Sequence, residues 1–129
     1  CIFPSPEQVI ASSLDGLGIT TRRIDAIKAM ATAVVEGTLC FDGSMSSDEF
    51  VERSTQISGI GPWTAQYIAL RALNDPDAFP HADLILLRAA AAPDETLTPK
   101  QLLEKSQAWR PWRAYVVMLL WRDYAMQKQ

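Results

Sequence analysis

Ile57-Ser58-Gly59-Ile60-Gly61-Pro62-Trp63-Thr64-Ala65 is the stretch on which the reading of this chain turns. Glycine reaches φ > 0 without steric cost, so two glycines one residue apart permit a tight turn. Pro62 suits the first position of a following helix, where its missing N–H is not needed. That helix, expected from Pro62 to Leu73, starts with amides that have no helical carbonyl behind them. Together with the positive end of the helix dipole they offer a seat to an anion, a DNA phosphate being one candidate. The plain alternative is a turn that only joins two helices. The motif alone leaves both open.

A second feature lies one helix further on, in Phe79-Pro80-His81-Ala82-Asp83. Asp83 stands directly before the apolar run Leu84-Ile85-Leu86-Leu87, where it reads as a helix N-cap. A capping carboxylate is held rigidly, so a second role in chemistry is compatible with the first. A phosphate cradle followed by a lone carboxylate suggests an enzyme that holds a DNA backbone while attacking one nucleotide.

Composition bounds the rest. With 129 residues and 48% hydrophobic composition, the chain is expected to form one domain around one core. No apolar run approaches the roughly 20 residues of a membrane helix, and no signal-peptide pattern is present. The sequence opens on Cys1 rather than Met, which suggests a start inside a larger protein, although processing or trimming gives the same result. Two cysteines, Cys1 and Cys40, cannot supply a four-thiolate site, so no iron–sulfur cluster is expected. The single histidine, His81, reads as a solvent-facing loop residue, with phosphate contact as the sharper alternative.

The net charge of −3 argues mildly against a nucleic-acid binder. Local basic clusters at Arg22, Arg23 and Lys28 and at Arg110 and Arg113 soften that objection. Weak, salt-sensitive binding is the expectation.

The pattern is helical throughout, with no strand of convincing length. Ser5 caps a helix expected over Pro6 to Leu14, stopped by Asp15-Gly16. Ile24, Ile27, Met30, Ala31, Val34 and Val35 give the next helix a 3.6 period, and Gly37 ends it. Arg22 and Arg23 fall in its first turn, an unfavourable place for cations, and so either face a phosphate or are merely solvated. Ser46-Ser47 opens a helix over Asp48 to Gln56 that runs into the glycine turn. Beyond Asp83, further helices begin at Pro99 and at Pro111, the last reaching about Met126.

Three separated motifs now carry a resemblance over nearly the whole chain. They are Glu36-Gly37-Thr38-Leu39, then Ser58 to Tyr67 with the loop from Asn74 to Asp83, then Trp109-Arg110-Pro111-Trp112-Arg113-Ala114-Tyr115. In that order they resemble the helix-hairpin-helix DNA glycosylase superfamily, closest to its DNA-3-methyladenine glycosylase II branch. The resemblance implies an all-α helix-hairpin-helix glycosylase domain, a C-terminal fragment without the family's upstream α/β domain. It implies base-excision repair by hydrolysis of the glycosidic bond of alkylated purines such as 3-methyladenine.

By the same resemblance Asp83 is the catalytic carboxylate, and Trp63, Tyr67 and Trp121 line the pocket for the flipped base. From spacing alone these three aromatics serve equally as core. Gly59, Ile60, Gly61 and Thr64 are matched to phosphate binding. The backbone carbonyls of Thr55, Ile57 and Gly59 are matched to a monovalent cation, Na or K, with no other cofactor required. Members that form a Schiff base carry Lys where Trp63 stands, so a monofunctional enzyme follows. The partner implied is double-stranded DNA with alkylated bases, met by a monomer in the bacterial cytoplasm at the nucleoid, with no membrane. The family's apolar wedge lies in upstream helices, so a chain without them is expected to fold yet excise poorly. Two other classes stay open: a helix-hairpin-helix module that binds DNA without catalysis, and a helical interaction domain whose hairpin only packs.

Overall fold

The turn chemistry of the sequence sets the element boundaries. In the computed structural model, which describes residues 3–127, seven α-helices and one 3₁₀ turn follow one another, with no strand among the described residues. They are α1 (Pro6–Ala11), α2 (Thr21–Val35), α3 (Ser47–Thr55), α4 (Pro62–Ala72), α5 (Leu84–Ala89), α6 (Pro99–Lys105), the 3₁₀ turn Ser106–Trp109, and α7 (Arg113–Gln127). The chain divides into two compact units whose boundary falls inside α4, between Ala65 and Gln66.

Caps behave as the side chains dictate. Ser5 with Gln8, and Thr98 with Gln101, form reciprocal capping boxes, each followed by proline at the first helical position. Ser46 accepts the Glu49 N–H at 3.2 Å and starts α3. α1 stops at Ala11, three residues short of the expected Leu14. There the Ser12 hydroxyl donates to the Val9 carbonyl at 2.8 Å while its own backbone turns extended, the usual competition of serine with the helical ladder. α7 begins two residues later than expected. The Trp112 N–H is spent on the Trp109 carbonyl at 2.9 Å, which prolongs the preceding turn.

In the first unit, α1 packs on α2, and Leu39 and Phe50 are fully buried, with Phe41 edge-on to Phe50 at 5.0 Å. The apolar stripe expected on α2 is only partly covered: Ala31 is buried, whereas Ile27 and Val35 are exposed, and Ala26, outside that stripe, is buried as well. Small residues face inward because the glycine turn comes so close. A Cβ built on Gly59 would lie 2.9 Å from the Ala26 Cβ. The second unit is built on Leu86, Leu102 and Val117, all without exposed surface, with α5 laid against α7.

Candidate active site

Asp83 is held in the second unit by three hydrogen bonds. The extended backbone at Asp83 (φ −70°, ψ 123°) makes it the N-cap of α5, and its Oδ1 accepts the Ile85 and Leu86 amides at 2.9 Å each. A third donor arrives from α7: Trp121 Nε1 donates to the same oxygen at 3.2 Å. The residue is 9% exposed, whereas its neighbours Leu84 and Ile85 are open to solvent. The loop before it is tied by its own backbone bonds. The Asp83 N–H closes on the Pro80 carbonyl and the His81 N–H on that of Phe79, both at 2.9 Å, and Ala78, Phe79 and Pro80 are buried. His81 is half-buried in this turn.

Tyr67 joins the group from α4. Its ring meets that of Trp121 at 5.9 Å with a 48° tilt, and the Arg71 guanidinium lies over it at 5.7 Å. Tyr67, Trp121 and Asp83 are thus consecutive in one chain of contacts. Trp63 stands one turn earlier on α4 and is 38% exposed. The resemblance marked Trp121 only as a wall of the base pocket; its N–H bond to Asp83 appears only when α5 and α7 are packed.

The glycine turn is asymmetric. Gly59 has φ +93°, a conformation that favours glycine, but Gly61 does not share it and a Cβ there would meet nothing within 4 Å. The expectation that both glycines serve the turn is therefore corrected. Within the turn the Ile60 N–H donates to the Ile57 carbonyl at 3.0 Å, and the Ala65 N–H closes the first turn of α4 on Gly61 at 3.0 Å. Thr64 is half-buried and Arg22 and Arg23 are exposed.

Of the basic cluster read at Arg110 and Arg113, Arg113 is committed to Asp77 while the Arg110 side chain stays exposed. Arg113, 9% exposed, grips Asp77 with Nε to Oδ1 at 2.7 Å and NH2 to Oδ2 at 2.8 Å, and Arg110 adds a contact of 2.9 Å. A carboxylate 36 residues before Arg113 offsets one of the two positive charges, and no local pattern in the sequence announces it. Burial pushes the Asp77 carboxyl up, but the Arg113 hydrogen bonds and the charges of Arg113 and Arg110 outweigh it and hold the group below the usual carboxylate range. A carboxyl lowered by folding adds stability above its unfolded value, and that stability is lost as the pH falls through the folded value. Urea midpoints of wild type and Asp77→Asn are therefore expected to differ at about pH 6, wild type being the more stable, and to converge as the pH drops below about 4. A gap unchanged down to about pH 2 would contradict this assignment.

A groove of about 250 Å³ is lined by Leu70, Arg71, Asn74, Pro76, Tyr115 and Met118, apart from Asp83. Among the described residues no three His, Cys, Asp or Glu side chains converge as metal ligands, and Cys1 lies outside the described residues.

Comparison with known proteins decides what this arrangement is related to. No family model matches the chain. The chain is 35% identical over 119 residues to the Mycobacterium tuberculosis "probable bifunctional transcriptional activator/DNA repair enzyme AlkA", covering 92% of this chain and 24% of that protein. It is 30% identical to Escherichia coli DNA-3-methyladenine glycosylase 2, over 92% of this chain and 42% of that protein. The solved 3-methyladenine DNA glycosylase of Schizosaccharomyces pombe, in complex with abasic DNA, superposes with a TM-score of 0.82 at 29% identity, covering 93% of this chain and 63% of that one. The chain is a homologue of the DNA-3-methyladenine glycosylases. It spans from about a quarter to under two thirds of the length of these relatives. In this glycosylase homologue the all-helical fold expected from the resemblance is present, and no described helix is long and apolar enough to cross a membrane.

Proposed function

We propose that the chain carries the catalytic part of a monofunctional DNA N-glycosylase that releases alkylated purines such as 3-methyladenine during base-excision repair. The observation that carries this reading is Asp83, a carboxylate held by two backbone amides and the Trp121 indole, with the Tyr67 ring next in line. Breaking an N-glycosidic bond passes through a sugar with oxocarbenium character. A carboxylate fixed beside that sugar stabilises the developing positive charge and orients the attacking water. Preorganisation matters here, because a group already locked needs no rearrangement as the charge develops.

A purine alkylated on a ring nitrogen is a cationic leaving group, so a strong general acid is dispensable. It also favours the faces of aromatic rings by about 0.5–2 kcal/mol per contact, which is the role assigned to Trp63, Tyr67 and Trp121. The base must leave the duplex stack to reach them. Trp63 cannot form a Schiff base, which favours hydrolysis without strand cleavage.

For the glycine turn the proposed ligand is a DNA phosphate on the amides of Gly59, Gly61 and Thr64, and the expectation that the Ile60 amide joins them is corrected because its N–H is spent on the Ile57 carbonyl. The unfilled space at Gly61 supports it, because the fold has no need of glycine there. A monovalent cation would sit on the carbonyls of Thr55, Ile57 and Gly59. Hard oxygen donors suit such an ion, and the Ile57 carbonyl keeps a second lone pair beyond its bond to Ile60. A DNA substrate would place the protein in the cytoplasm, at the nucleoid.

The test is direct. A methylated duplex incubated with excess protein is expected to release 3-methyladenine, and its binding is expected to weaken steeply between about 50 and 200 mM salt. Salt-sensitive binding without release of any alkylated base would favour the non-catalytic DNA-binding module instead. Absence of any DNA affinity would leave only a packing role for the turn.

A further inference from the structure

We infer that the Asp77–Arg113 pair positions Asp83, acting through the loop that joins them. α7 touches this loop at both ends: Arg113 grips Asp77 where the loop begins, and Trp121 bonds Asp83 where it ends. The two α7 residues are eight apart, or about 12 Å along the helix axis. Between the two grips there is little slack. The Ala114 N–H donates to the Pro76 carbonyl at 2.9 Å, the Phe79 N–H donates to Gln66 Oε1 at 2.9 Å, and the Phe79 ring meets the Arg113 guanidinium and, edge-on, the Trp109 ring. A displacement at Asp77 is therefore passed on to Asp83.

Stability alone is a poor reason for such a pair. A largely buried ion pair contributes little beyond what apolar residues of the same volume would give. The two-pronged guanidinium–carboxylate contact does supply a fixed distance and a fixed plane. That is what a carboxylate needs if it is to meet a sugar within a few tenths of an ångström. The rate consequence rests on the activity proposed above; the geometric consequence does not.

Two charge-conserving variants separate the roles. Arg113→Lys keeps the charge but loses the fork, and Asp77→Glu lengthens the arm by one methylene. In both, the Trp121 indole resonance in a ¹⁵N-correlated spectrum is expected to move, and the Leu86 amide to exchange about tenfold faster relative to the Leu102 amide. Single-turnover release of 3-methyladenine is expected to fall by about 100-fold, with duplex affinity unchanged. An unmoved indole resonance, or Leu86 protection that falls only in step with Leu102, would overturn the inference. If wild type releases no base, the glycosylase reading fails by itself, and the spectra still decide the role of the pair.

Discussion

Asp83→Asn is expected to lower single-turnover release of 3-methyladenine by about 100- to 1,000-fold, the scale on which one preorganised electrostatic group acts. The substitution is informative because it leaves the architecture alone. Asparagine is as good an N-cap as aspartate, so the Ile85 and Leu86 amides keep an acceptor, and so does the Trp121 indole. What disappears is the negative charge. Thermal unfolding and duplex affinity are accordingly expected to stay close to wild type while release collapses. Asp83→Ala would be a poorer experiment, since it strips the cap and orphans the indole N–H together. Release by Asp83→Asn at the wild-type rate would remove Asp83 from the chemistry and leave it a cap.

Gly59→Ala is expected to destabilise the fold by about 3 kcal/mol. Backbone strain at a non-glycine residue with this φ costs about 1–3 kcal/mol, and forcing a Cβ against Ala26 adds overpacking of similar size. For a domain whose whole stability is on the order of 5–15 kcal/mol, such a loss is readily seen in a urea titration. Gly61→Ala is the matched control. Its backbone is not in the left-handed region and its Cβ would occupy open space, so its stability is expected within about 0.5 kcal/mol of wild type. If that open space receives a phosphate, Gly61→Ala weakens duplex binding without touching the fold. Equal destabilisation by both substitutions would refute the asymmetry of the turn. Unchanged duplex affinity in Gly61→Ala would remove the phosphate from that position.

The parts of the site that were legible in the sequence are those decided within one turn of chain. Asp83 as the cap of α5 and Ser5 and Ser46 as helix starts follow from side chains that bond amides two or three residues away, and Pro62 as the first residue of α4 from a ring that needs no N–H bond there. The glycine turn was legible as a turn, but not which of its two glycines was under constraint. That depended on Ala26, 33 residues earlier, approaching Gly59. The partner of Arg110 and Arg113 was not legible for the same reason, since a local charge pattern is blind to Asp77.

Local chemistry in the chain thus determined a helical protein, the places where its helices start, and a glycine turn and a carboxylate that mark a glycosylase relative. Tertiary packing alone decided that Trp121 donates to Asp83, that Tyr67 leans on Trp121, and that Arg113 is spent on Asp77. The division has a physical cause. Caps and turns are satisfied by amides next door, whereas these side chains find partners 36 to 54 residues away, through contacts that exist only once α5 and α7 are packed in one core.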